Sequence, residues 1–94
     1  MAERLTDGQV QEGLEALGGW RRDGDLLVCA SKHADFAAAL ARLNAVAELA
    51  ERENHHPDLE LHDWNRLTIR LTTHSAGGIT AADLALARAI DDLD

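Results

Sequence analysis

The chain carries a single proline, Pro57, and its position limits the fold more than any other residue does. It stands just beyond a long stretch, from Asp35 to about Asn54, that is rich in alanine and glutamate and sets Phe36, Leu40, Leu43, Ala47 and Ala50 on one helical stripe. The proline ring disfavours the helical conformation in the residue before it, here His56, so the longest helix of the chain ends there. Past the proline the hydrophobic period drops to two. Leu59 and Leu61 alternate with polar neighbours, Asp63-Trp64-Asn65 lies near a turn, and Leu67, Ile69 and Leu71 alternate with Thr68, Arg70 and Thr72. The spacing predicts two paired strands.

The segments on either side extend this order. Thr6 followed by Gln9 is a capping-box pattern, and Val10, Leu14 and Leu17 recur at helical spacing until Gly18-Gly19 stops the run. Two short runs about the turn pair Asp23-Gly24 then read as a hairpin, with Leu26, Val28 and Ala30 alternating with Leu27, Cys29 and Ser31. After the Gly77-Gly78 loop, Thr80 with Asp83 is a second cap pattern, and Leu86, Ala89, Ile90 and Leu93 mark a last amphipathic helix. The expected order is α-β-β-α-β-β-α, an α+β domain in which helices cover the apolar face of a four-stranded antiparallel sheet.

At 94 residues the chain suits one domain, spanning 1–94. Only three residues are aromatic, so the core is built from Leu, Ile, Val and Ala. Such a thin core leaves surface to be buried by self-association, and a homodimer or homotetramer is expected.

The formal net charge of −8 repels polyphosphate, and the nine Lys and Arg residues are scattered, which argues against direct nucleic-acid binding. The lone Cys29 excludes an intrachain disulfide and lies among apolar residues, as a small buried hydrophobe would. No apolar run approaches the roughly 20 residues that span a bilayer, so no membrane partner is expected. Glu3 and Asp7 occupy the start of the chain without an apolar signal core, and the expected location is the cytoplasm.

The compositional oddity is histidine. There are five, and His55, His56, His62 and His74 fall within one stretch of the chain. Imidazole titrates near pH 6.5, so several around one cleft suit acid–base catalysis. His55 and His56 come at the C-terminal end of the long helix, where the macrodipole favours positive charge. Glu51 precedes His55 by four residues and, if the helix persists that far, its carboxylate orients that ring. His74 ends the last strand before a glycine loop. Asp83 is a cap partner, an orienting carboxylate, or both. Trp64 is a hydrophobic anchor or one wall of a site for a flat ligand. His33 and His62 are read as exposed decoration.

Taken together, Glu51-Arg52-Glu53-Asn54-His55-His56-Pro57-Asp58, Trp64-Asn65, Thr73-His74-Ser75, Gly77-Gly78-Ile79-Thr80 and Asp83 resemble the signature of the pterin-4a-carbinolamine dehydratases. The likeness extends to Gly19-Trp20 and Asp35-Phe36. It implies an antiparallel four-stranded sheet with three helices on one side, in agreement with the periodicity. It also implies a small-molecule substrate, a 4a-hydroxytetrahydropterin released by aromatic amino-acid hydroxylases, dehydrated to a quinonoid dihydropterin without metal or organic cofactor. By position, the resemblance makes His55 and His74 general acids on opposite faces of the pterin and gives His56 chiefly to substrate binding. Asp83 would support these histidines, while Glu51, Pro57, Trp64 and Thr73 would bind substrate or orient the others.

Two rival readings come from other classes. Three imidazoles could hold Zn²⁺ with water in the fourth place, but adjacent side chains such as His55 and His56 diverge at a helix end, and no thiolate cluster assists. The other rival is a non-catalytic module on the same fold, since the resembling family includes dimerisation cofactors of a transcription factor and related domains serve as assembly factors. Turnover by the purified protein separates that reading from the enzyme.

Overall fold

Local signals set each boundary in the computed structural model, which describes residues 3–93. Helix α1, Asp7–Glu15, starts at a full capping box: the Thr6 hydroxyl accepts from the Gln9 N–H while the Gln9 side chain accepts from the Thr6 N–H. Strands β1, Trp20–Asp23, and β2, Leu26–Lys32, form the first hairpin. Its two-residue turn is Gly24-Asp25, one position later than expected, because a tight hairpin calls for positive φ at its first central residue and Gly24 supplies it at 60°.

Helix α2 runs Phe36–Glu53 from the N-cap Asp35, whose carboxylate accepts from the Ala38 N–H. The second hairpin pairs β3, Asp58–His62, with β4, Arg66–Leu71. A short 3-10 turn, His74–Ala76, follows, closed by a bridge between Thr73 and Gly78. Helix α3, Ala81–Asp91, completes the expected order; Leu93 lies beyond its end and is exposed.

The sheet is antiparallel throughout, in the order β1-β2-β4-β3, so β2 and β4, which are separated in sequence by α2 and β3, pair at its centre. One face presents Trp20, Leu27, Cys29, Leu59, Leu67, Ile69 and Leu71, and it packs against Val10 of α1, Val46 of α2, and Leu86, Ala87 and Ile90 of α3. All three helices therefore cover the same side.

The buried stripe of α2 is rotated from the expected one. Ala39, Val46 and Ala50 are buried, with Leu43 and Leu49 packed against the core, whereas Phe36 and Leu40 are 51% and 40% exposed. Small residues let the helix lie close to the sheet, and close approach by Ala39 and Ala50 turns the bulkier Phe36 and Leu40 outward. Nor are His33 and His62 idle decoration. Each is half-buried, His33 Nε2 with the Ser31 hydroxyl and His62 Nε2 with that of Thr68, both at 2.8 Å. No helix among the described residues is long and apolar enough to cross a membrane.

Candidate functional site

The end of α2 brings the site together. Asn54 adopts the left-handed conformation (φ 51°), its N–H donates to the Glu51 carbonyl, and the His55 N–H reaches back to the carbonyl of Ala50. This double return is a Schellman motif, which stops the helix at Glu53 and turns the chain before Pro57 is reached. His55 therefore does not lie one helical turn beyond Glu51, and the expected Glu51–His55 pairing is replaced. The Glu51 carboxylate meets His56 Nε2 at 2.5 Å, at an exposed edge.

His55 turns inward instead. Its Nε2 lies 2.5 Å from Asp83 Oδ1, with the histidine side chain 16% exposed and the aspartate fully buried. Asp83 Oδ2 accepts two further hydrogen bonds at 2.8 Å, from the Thr73 hydroxyl and the Thr80 N–H. The last closes the α3 capping box, so Asp83 caps its helix and holds His55 at once. A buried carboxylate is costly unless its oxygens are satisfied, and here both are.

Thr73, given a binding or orienting role above, is half-buried with its hydroxyl tied to Asp83. His74 is its neighbour in the chain, about 3.8 Å away between Cα atoms, and stands exposed at the start of the 3-10 turn. Pro57 is half-buried between His56 and β3. Thus His55, His56, Glu51, Thr73, His74 and Asp83 gather where α2 ends, β4 ends and α3 begins. Trp64 is not among them. It occupies the β3–β4 turn at the opposite end of that hairpin, 62% exposed with φ 55°.

Sequence reasoning missed Thr80 as part of this group. Its hydroxyl lies 2.8 Å from that of Thr73 and it is fully buried. Its place in the capping pattern was legible, but its contact with Thr73 was not. A surface cavity of about 320 Å³ between α1 and α3 is lined by Gly13, Leu17, Leu84 and Arg88 and by none of the histidines. His56 and His74 are exposed and His55 is half-buried against a buried carboxylate, a set of groups of the kind that acid–base chemistry uses.

A four-stranded antiparallel sheet with three helices on one face and a His–Asp couple at its end defines an α+β protein of this architecture. Residues 3–93 match the family model described as pterin 4 alpha carbinolamine dehydratase, and the chain belongs to that family. It is 47% identical over 90 residues to a protein of Thermomicrobium roseum provisionally named pterin-4-alpha-carbinolamine dehydratase, covering 96% of each chain. Among solved structures, a transcriptional coactivator/pterin dehydratase from Brucella melitensis superposes with a TM-score of 0.89 at 33% identity, covering 96% of this chain and 97% of that one. A pterin dehydratase-like protein identified as a RuBisCO assembly factor in the alpha-carboxysome superposes with a TM-score of 0.66 at 26% identity, over 81% and 89% of the two chains.

Proposed function

We propose that this protein dehydrates a 4a-hydroxytetrahydropterin to the quinonoid dihydropterin, with His55 and His74 as general acid–base groups and His56 chiefly binding substrate. Family membership supports the reaction class. The observation that carries the assignment to residues is the His55–Asp83 couple, a solvent-reaching imidazole backed by a buried carboxylate.

The chemistry asks little more than this. The carbon bearing the hydroxyl is flanked by a ring nitrogen whose lone pair expels it as the C–O bond breaks. One group must protonate the departing oxygen, and another must take the nitrogen's proton, so that water leaves and no redox change occurs. Imidazole as a side-chain type can both give and take a proton near neutral pH, which suits both steps. Asp83 supports His55, and Glu51 supports His56 at the exposed edge.

The test is the rate at which purified protein accelerates dehydration of freshly generated 4a-hydroxytetrahydropterin, followed by ultraviolet absorbance. Wild type is expected to accelerate it, and His74→Ala to lower turnover by about two orders of magnitude with the fold intact. Unchanged activity in that variant removes His74 from the mechanism. The similarity to the RuBisCO assembly factor favours the other reading, a non-catalytic module, and a folded wild type without turnover would decide for it.

A further inference from the structure

The hydrogens on the path from α3 to His55 follow from counting donors. Asp83 as a carboxylate only accepts. Thr73 has one hydroxyl hydrogen, and it goes to Asp83 Oδ2. In the 2.8 Å contact between the Thr73 and Thr80 hydroxyls, Thr80 must therefore be the donor. Thr80 Oγ1 keeps its lone pairs for the Ala82 N–H at 3.3 Å. With Oδ2 taken by Thr73 and by the Thr80 N–H, Oδ1 is left to His55, whose Nε2 carries the hydrogen between them. The other ring nitrogen, Nδ1, has no hydrogen-bond partner among the described residues. Since no buried side-chain nitrogen or oxygen there lacks a partner, Nδ1 reaches the surface.

We infer that Thr80 is a positioning residue: its hydroxyl, acting through Thr73 and Asp83, holds His55 as the Nε2–H tautomer and leaves Nδ1 as the nitrogen that exchanges protons with substrate. An N-cap needs only an oxygen that accepts, and Thr80 also spends its hydrogen. That hydrogen prevents the Thr73 hydroxyl from turning away from Asp83. With Thr80 and Asp83 fully buried and Thr73 and His55 half-buried, such bonds polarise one another, so each link steadies the next. The catalytic meaning of Nδ1 rests on the proposed function; the tautomer does not.

The experiment is nitrogen NMR on the full chain with ¹⁵N-labelled histidine, at alkaline pH with the rings neutral, beside steady-state kinetics. Wild type is expected to show His55 with hydrogen on Nε2 and a Nε2–H protected from solvent exchange. Hydrogen on Nδ1 would overturn the assignment, whether or not the protein turns over substrate. Thr80→Val is expected to mix the tautomers, speed exchange of that hydrogen and lower kcat about tenfold with KM little changed, the scale of a modest misplacement of a reacting group. Thr80→Ser should restore all three readings. A Thr80→Val protein that keeps the wild-type tautomer and protection refutes the positioning role. If Thr80→Val fails to fold, Thr73→Val breaks the chain one link on without touching the α3 cap, and an undisturbed His55 there refutes it equally.

Discussion

At Asp83 one side chain holds both a helix start and the His55 ring. Its two oxygens meet three donors: the Thr73 hydroxyl, the Thr80 N–H and His55 Nε2–H. Asp83→Asn keeps the shape but replaces one acceptor with an NH₂ donor: in one orientation it meets the Thr73 and Thr80 donors, and in the other His55 Nε2 must give up its hydrogen to Nδ1 to accept it. Turnover is expected to fall by about 10² or more, and stability by about 1–3 kcal/mol, the cost of leaving a buried polar group unmet. Kinetics and urea unfolding of the same variant measure both, and an unchanged kcat would detach Asp83 from catalysis. Half of this arrangement was legible: Thr80 and Asp83 are three apart, and a cap is a local pattern. The bond to His55 spans 28 positions, and no short-range rule reaches that far.

The elements were read more fully than their joints. Helix α2 announces itself through alanine and a helical period, and its N-cap Asp35 is where a cap belongs. Its end was assigned to Pro57, but Asn54 stops it, in a left-handed conformation that asparagine adopts more readily than most residues. That joint decides the site, because the chain reverses one residue before His55 and so gives Glu51 to His56. Replacing Asn54 with glycine should raise stability by roughly 0.5–1 kcal/mol, and replacing it with alanine should lower it by about 1 kcal/mol. Denaturant midpoints at constant m distinguish the two. The reverse order would mean that Asn54 stabilises the fold through its side chain and not through backbone tolerance.

Over the whole molecule, the alternation of apolar residues told which side of β3 and β4 faces in, but left both sides of β2 apolar and did not tell that β2 and β4 pair at the centre, since that pairing joins segments on either side of α2. The last helix and the first strand are likewise joined by a contact that no periodicity announces. Asp91, at the end of α3, accepts from the Gly18 N–H at 3.1 Å and from Trp20 Nε1 at 2.9 Å, clamping α3 to the entrance of β1. Asp91→Ala strands the indole N–H of a nearly buried tryptophan, at a cost of about 1–3 kcal/mol, or roughly 4–8 °C in Tm per kcal/mol for a domain of this size. The same carboxylate acts on Cys29. Burial pushes that thiol up, Asp91 pushes it further, and Arg42 opposes them. A thiol raised by folding leaves stability whole below the ordinary thiol range of about 8.5 and erodes it as pH climbs towards the folded value, because the unfolded chain ionises first. Removing Asp91 lessens that erosion. The stability gap between wild type and Asp91→Ala should therefore narrow as pH rises above the ordinary thiol range, while Cys29 in the variant alkylates faster at mildly alkaline pH. Urea unfolding across pH, with Cys29→Ala as the background, checks the origin: a gap that narrows just as much without the thiol would assign the pH dependence to some other group.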